Sequence, residues 1–435
     1  MEVKRIIGIC LLLLILAGCK PGGLPFLSQT YPHQNYGDQL KKQGLNNTRI
    51  GKQWLNQARL ALKNPVRVEV PFAVNGVFYT EQVEALAWKF ALKRGASINV
   101  SASWQSPDSS GIFIDLFQEQ EGKWKHLGAP SQLEYKLSFE SKEEGNYLLR
   151  IQPELLGAGR FSLQIQYAET YSHFPVQGKD SRAIWSVFGD ERDGGKRQHE
   201  GIDIFAERGT PVVAPVSGMV STVRNGGLGG KSVWMQDSKR GHSLYFAHLD
   251  SQAVQKGKRV QPGDTLGFVG NSGNARNTQP HLHFGIYARF DGAVNPYPFV
   301  DNLFKPVPVL TDFPVQKLQI VKGVKANLRY GPGTSFDVIA ALERGDLVWV
   351  KGYTADWVQV ETPSQHKGFI HSSLLASAEL QPARLAEEKW AFWDPFLHPA
   401  DSFRLNEEAV FVLGKYENYQ LLQDRNQNDF WVSLQ

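Results

Sequence analysis

Two histidines stand one residue apart in "QPHLHFGIY", residues 279–287, inside a run that otherwise reads as a buried strand. Side chains alternate along a strand, so His281 and His283 share one face while Leu282, Phe284 and Ile286 share the other. Such a pair can be a metal ligand set, an acid/base pair, one of each, or two hydrogen-bonded core histidines, and spacing leaves all four open. Two further clusters widen the inventory. In "QHEGIDIF" His199 precedes Asp203 by four residues; fully extended, their side chains would start ~13 Å apart, too far for one small ion. A bend is needed, and Gly201 supplies it, with His199 in a loop and Asp203 on the strand just entered. A helical reading is opposed by Gly201 and the β-branched Ile202 and Ile204. In "HSLYFAHLD" alternation sets His248 with Phe246, apart from Tyr245, Ala247 and Leu249, and Tyr245 reads as a core aromatic. Imidazole and carboxylate donors suit zinc, and three protein ligands would leave a fourth position open, the mark of a catalytic ion. A calcium site would ask for more carboxylates.

The elements that must position these groups follow from the rest of the chain. Its 435 residues exceed one compact core, and the short alternating runs with frequent Gly and Pro predict a mostly β, multidomain protein. A formal charge of +4, without a basic block, argues against nucleic acid as a partner. At the N-terminus Lys4 and Arg5 precede an apolar run from Ile6 to Leu16, too short for a comfortable permanent span, and then Leu16-Ala17-Gly18-Cys19. This resembles a bacterial lipobox. Residues 1–18 would be a lipoprotein signal peptide, Cys19 the lipidated N-terminus and the membrane a partner through that anchor, with Lys20 fitting outer-membrane placement if the host has two membranes. Cys10 lies in the signal, so no disulfide framework is expected.

Residues 19–65 read as a tether, Pro/Gly-rich to about residue 37, and a short helix within Asp38–Leu62 whose stripe is Ile50, Trp54, Ala58 and Leu62. Residues 66–170 form alternating runs that predict a β-sandwich; "FALKRGASINV" and "EEGNYLLRIQP" resemble the jelly-roll modules placed before secreted bacterial peptidases. His126 and His173 read as surface residues. Beyond a Pro-rich link, "ANLRYGPGTSFDVIAALERGD", "WVQV" and "GFIHSSLL" within 317–376 resemble a bacterial SH3-like domain, a small barrel. Residues 385–435 are aromatic-rich, of unassigned role, and predict packing against another domain, with "AVFVLG" and "DFWVSLQ" as strands.

The three polar clusters then join into one pattern. "SVFGD", "HEGIDIFAERGTPVVAPVSGMV", "YFAHLD", "GKRVQPGDTLGFVGNSG" and "PHLHFGIY" follow one another in the order of the lysostaphin-type, or LytM-like, zinc metallopeptidases, which the stretch Ile184–Pro296 resembles. Ser243, where threonine is common, and the longer approach "ARNTQPHLHF" depart from the family pattern without removing a ligand. The resemblance implies a peptidase domain over 171–305 built on a β-sheet, one Zn2+ held by His199, Asp203 and His283, and catalytic histidines His281 and His248. It further implies a zinc metalloendopeptidase of the bacterial cell envelope that hydrolyses cross-links or stem peptides of peptidoglycan. The alternative is a non-catalytic relative that activates cell-wall amidases, with those enzymes as partners; such relatives usually lack one of the five residues kept here. A binding lipoprotein leaves the histidine spacing unexplained, and free secretion conflicts with the lipobox.

Overall fold

The computed structural model describes residues 31–130, 134–192, 194–308, 317–385, 388–396, 398–405 and 409–434. The expected signal peptide over 1–18, Cys19, the first part of the expected tether and most of the Pro-rich link lie outside them.

The chain opens with two helices where the sequence predicts one. Pro32–Lys42 begins inside the stretch read as tether, because proline at a first helical turn is compatible with a helix yet reads as a loop residue. Gly44 breaks the run in a left-handed conformation, and Thr48 restarts it, its hydroxyl accepting from Gly51 N–H at 3.0 Å at the head of Arg49–Lys63. The buried stripe is Gly51, Trp54, Ala58 and Ala61, not the every-fourth-residue set, and Ile50 is exposed. At 3.6 residues per turn an every-fourth pattern slips by about 40° per step.

These helices lie on a β-sandwich. One sheet runs in the order Val66–Arg67, Leu86–Leu92, Gly145–Pro153, Ile112–Gln120, Lys123–Gly128; the facing strands are Phe72–Phe78, Gly159–Ala168, Ser97–Gln105 and Lys136–Glu140. Trp88, Leu149, Ile151, Ile98, Leu163 and Ile165 fill the space between. His126 is no surface residue, since its Nε2 lies 2.8 Å from the buried Asp115 carboxylate, whereas His173 is exposed.

The second sandwich sheet does not end at its own domain. Asn75 pairs with Tyr353 and so continues the sheet into the strand Leu347–Thr354 of the 317–376 module. Trp88 Nε1–H donates to Gln359 at 2.9 Å across the same junction, and the buried Lys351 ammonium meets both Glu84 and Glu361. On its other side the module receives Leu413, Tyr416, Leu421 and Trp431 from a six-stranded C-terminal sheet.

Residues 171–305 hold an eight-stranded sheet whose main path is Ile184–Ser186, Ile202–Phe205, His281–Ala288, Ser243–Leu249, Lys231–Asp237, Gly218–Arg224, Arg259–Val260. A three-stranded sheet, Pro211–Val213, Thr265–Phe268 and Ser251–Gln252, helps to close its apolar face over Ile202, Ile204, Leu282, Phe284 and Ile286. Arg240 clamps this domain to the sandwich. Its guanidinium donates to both oxygens of Glu140 at 2.6 and 2.8 Å and to Asp237 at 3.1 Å, and it lies over Tyr171. Nearby, a Cβ on Gly95 (φ +87°) would stand 2.2 Å from the Phe299 ring, so only glycine admits that contact.

His33 anchors the first helix: it stacks on Trp54 at 4.7 Å and bonds Gln152 at 2.7 Å. Burial, with the Arg150 cation nearby, lowers its pKa to about 4 from 6.5. Between those two values the unfolded chain takes up a proton that the folded chain refuses, so stability falls as pH drops through this window and levels off below it. Urea unfolding at intervals from pH 7 to pH 4 should show a weaker acid-side loss in His33→Gln than in the wild type. Parallel profiles would remove the assignment.

Candidate active site

Strand pairing brings the predicted residues to one face. Asp203 stands opposite His283 and Phe205 opposite His281 in adjacent antiparallel strands, and Ala247 opposes His283 from the other side. The alternate residues Ile202, Ile204, Leu282 and Phe284 are fully buried on the reverse face. His199 sits just before the Ile202–Phe205 strand, in a loop that folds back as its separation from Asp203 demands. The bend depends on Gly201, where a Cβ would come within 2.6 Å of Phe284 O and 2.7 Å of the His283 ring.

Three donor atoms converge. His199 Nε2, His283 Nδ1 and Asp203 Oδ1 lie 3.0 Å from one another. Two ligands of one tetrahedral ion, each at ~2.0–2.1 Å, stand about 3.3 Å apart; the triangle is close to that edge. Proton positions point the same way. Val187 O can only accept, so His199 donates to it through Nδ1 at 2.9 Å, and in the neutral ring Nε2 is then a bare lone pair facing a carboxylate oxygen. A proton or a metal ion must lie between those two atoms. Burial pushes the Asp203 carboxyl up, but the neighbouring His199 and His283 outweigh it and hold the group well below the usual carboxylate range. Burial lowers His283 against the pull of Asp203. Anionic aspartate and neutral imidazole are the forms that bind metal. His199, Asp203 and His283 thus form a cluster positioned to hold a divalent metal, and its donors suit zinc.

The other two histidines are oriented alike. His281 donates from Nδ1 to Gln279 O at 2.8 Å, and His248 from Nδ1 to Ser272 O at 2.9 Å. Both rings line one cleft of about 720 Å3, each with its Nδ1 already engaged. The two rings are 5.1 Å apart. His248 does not follow the expected alternation. Phe246 enters the core, but the strand bulges after it, His248 takes φ +62°, and the imidazole turns to the same side as Tyr245. Burial first, then the nearby His281 and His283, lowers its pKa to about 4, so it is uncharged at neutral pH. Tyr245 is a wall of the cleft, not a core aromatic; it is half-buried and stacked on Trp234 at 4.3 Å.

Sequence reasoning missed the support of Asp203. Arg192 donates from Nη2 to Asp203 Oδ2 at 2.7 Å and to Ser186 Oγ at 2.5 Å, leaving Oδ1 for the triad. A hairpin delivers it, with Glu191 and Arg192 paired to Gln198 and Arg197. The available signal was the Gly194-Gly195 pair between two short charged segments, a turn mark. Such supports fix a ligand's orientation and are worth about 10–100-fold in metal affinity.

The Gly201 contact gives a direct check on the triad. Gly201→Ala must displace the His283 ring, and zinc affinity measured by chelator competition should fall by roughly tenfold or more. Wild-type affinity in the variant would show that His283 is not a ligand.

Comparison with known proteins adds a family to this geometry. Residues 197–296 match the model of peptidase family M23, and residues 323–376 that of a bacterial SH3 domain. An L-Ala--D-Glu endopeptidase of Bacillus subtilis is 32% identical over 189 residues, 38% of this chain and 56% of the relative. A DD-carboxypeptidase/endopeptidase of Neisseria meningitidis serogroup B is 37% identical over 144 residues, 32% of this chain and 31% of the relative. The chain therefore spans little more than half the length of the first and under a third of the second. Among solved structures, the catalytic domain of lysostaphin from Staphylococcus simulans is 30% identical, covering 26% of this chain and 88% of that one, with a TM-score of 0.24. The chain carries a peptidase family M23 domain, with its metal-binding triad assembled, and a bacterial SH3 domain.

Proposed function

We propose that this protein is a zinc-dependent endopeptidase of the bacterial cell envelope that cuts peptide bonds in peptidoglycan. The observation that carries the reading is the presence, on one sheet face, of a His-Asp-His triad beside two histidines whose Nδ1 hydrogens are already committed to backbone carbonyls. The names of the two relatives, both enzymes acting on peptide bonds, support the reaction class.

Zinc, when bound, would polarise the scissile carbonyl and acidify a water. The protein's own groups divide the proton work. His281, fixed by Gln279 O and stacked on Phe205 at 4.9 Å, accepts the proton of the attacking water through Nε2 and returns it to the leaving amine nitrogen. The family resemblance alone would let His248 donate to the developing oxyanion, but neutral His248 has its hydrogen on Nδ1, toward Ser272 O. It serves as a second acceptor that orients the water. Arg192 keeps Asp203 aimed.

The envelope location extends the same proposal to Cys19. Its lipobox setting fits a lipid anchor, with outer-membrane placement where the host has two membranes. Among the described residues no helix is long and apolar enough to cross a membrane.

Two experiments test this. Protein starting after Cys19, loaded with zinc, should release muropeptides from peptidoglycan. Chelator or His283→Ala should abolish release, whereas His281→Ala and His248→Ala should each keep zinc and lose about 10²–10⁴-fold in kcat. Zinc-loaded wild type that releases nothing but stimulates a cell-wall amidase would make it a regulator. For the anchor, full-length protein expressed in bacteria should incorporate labelled palmitate and Cys19→Ser should not; equal labelling of the two would reject Cys19 as the lipid site.

A further inference from the structure

Trp185 is an unusual residue to find beside this cleft. It lies on the edge strand of the sheet, yet 66% of its surface is exposed. Its backbone explains how it came to face outward. Ile184 pairs with Ile204 and Ser186 with Asp203, so Trp185 is the extra residue of a bulge, which leaves Ser186 in the cleft lining and the indole against Phe205 at its edge. The indole stacks on Phe205 at 4.6 Å and 16°, and Phe205 in turn stacks on His281 at 4.9 Å and 28°. Three rings thus run from the metal cluster's neighbour to open solvent. The indole N–H is already used, donating to Arg182 O at 3.2 Å.

We infer that the open face of Trp185 seats a pyranose ring of the glycan strand, so that the enzyme recognises sugar and peptide together. This inference rests on the proposed action on peptidoglycan. With one face against Phe205 and its N–H committed, the indole can offer only a flat apolar π-face, which selects a flat C–H-rich partner or a cation. A cation finds no support in the residue that holds the indole N–H, because Arg182 is itself a cation and already occupies the Asp180 carboxylate through 3.0 and 3.2 Å bonds from Nε. Stem peptides built from small, acidic and diamino residues have no flat apolar surface, whereas the ring of an amino sugar does. The shelf is also continuous with the cleft, so one substrate can occupy both. Each stack is under 5 Å. A sugar on Trp185 lies three such stacks, ~14 Å, from His281, and extended peptide advances ~3.3 Å per residue, which leaves roughly four residues between them. The bond cut is therefore close to the glycan.

The test compares a disaccharide-linked stem-peptide dimer with the same dimer stripped of its sugars. Wild-type kcat/KM should be about tenfold higher on the sugar-bearing dimer, the equivalent of one good stacking contact. Trp185→Ala should lose that factor on the sugar-bearing dimer and less than about twofold on the stripped one, with zinc content unchanged, and Trp185→Phe should keep most of it. Equal losses on both dimers, or no preference in the wild type, would overturn the sugar seat. Binding separates this from the catalytic reading. Calorimetric titration of the sugar-bearing dimer into zinc-loaded His281→Ala protein should give a Kd that Trp185→Ala raises about tenfold. An unchanged Kd, or no binding, rejects the seat. Binding that depends on Trp185 in a protein whose wild type cuts neither dimer would keep the seat and reject the endopeptidase.

Discussion

Three electron-pair donors held 3.0 Å apart in a largely buried site cannot persist without positive charge among them, and most of the central domain exists to keep them there. Asp203 and His283 meet because two neighbouring strands are paired in that register. A slip of one residue in either strand would turn that strand's ligand into the core. The apolar reverse face therefore specifies the catalytic face. Burying Ile202, Ile204, Leu282, Phe284 and Ile286 is what stops the sheet from sliding.

Where regular pairing would fail, the chain departs from it. The loop before Ile202 brings His199 back over Asp203, and the glycine in it is the only residue that fits under the His283 ring. A bulge turns His248 out of the core-facing series, and a second bulge releases Trp185 at the sheet edge. Each irregularity places a side chain that strict alternation would bury or misdirect, as bulges beside functional sites do elsewhere. The pair His281 and His283 shows the finer version of this control. Both share a face, yet a carbonyl from Gln279 takes the Nδ1 of one, while the other offers its Nδ1 to the triad. Identical side chains thereby acquire different chemistry from their hydrogen-bond partners.

Much of the site was legible in the sequence because its signals are short-range or chemical. The bend at Gly201 follows from the reach of a four-residue segment, and the shared face of His281 and His283 follows from the period of a strand. The family motifs supplied the ligand roles that spacing could not. Long-range geometry was illegible. Arg192 lies eleven residues from Asp203 across a hairpin whose closure no single-residue preference fixes. His248 was given the wrong face because alternation assumes an unbroken ladder, which ends at the bulge after Phe246, whereas Tyr245, before the bulge, was read as core because residue type alone does not separate a cleft wall from a core. The β content was readable from alternation. That a sandwich sheet continues into the next module was not, because Asn75 and Tyr353 are 278 residues apart and nothing local marks their pairing.

That continuity bears on how the cleft is held within the whole chain. The SH3 domain is joined on one side to the sandwich by the shared sheet, the Trp88–Gln359 bond and the Lys351 ion cluster, and on the other its core is completed by Leu413, Tyr416, Leu421 and Trp431. Those surfaces are occupied by the protein itself and are closed to a ligand. The sandwich is in turn held to the peptidase domain by Arg240 and by Phe299 against Gly95. Buried, two-sided ion pairs of this kind contribute little net energy but are costly to open, since separating them strands a charge. The domains therefore turn together, and the cleft's direction is set by the frame rather than by a hinge. Such a frame substitutes orientation for mobility: what can reach His281 is determined by where the rest of the molecule rests.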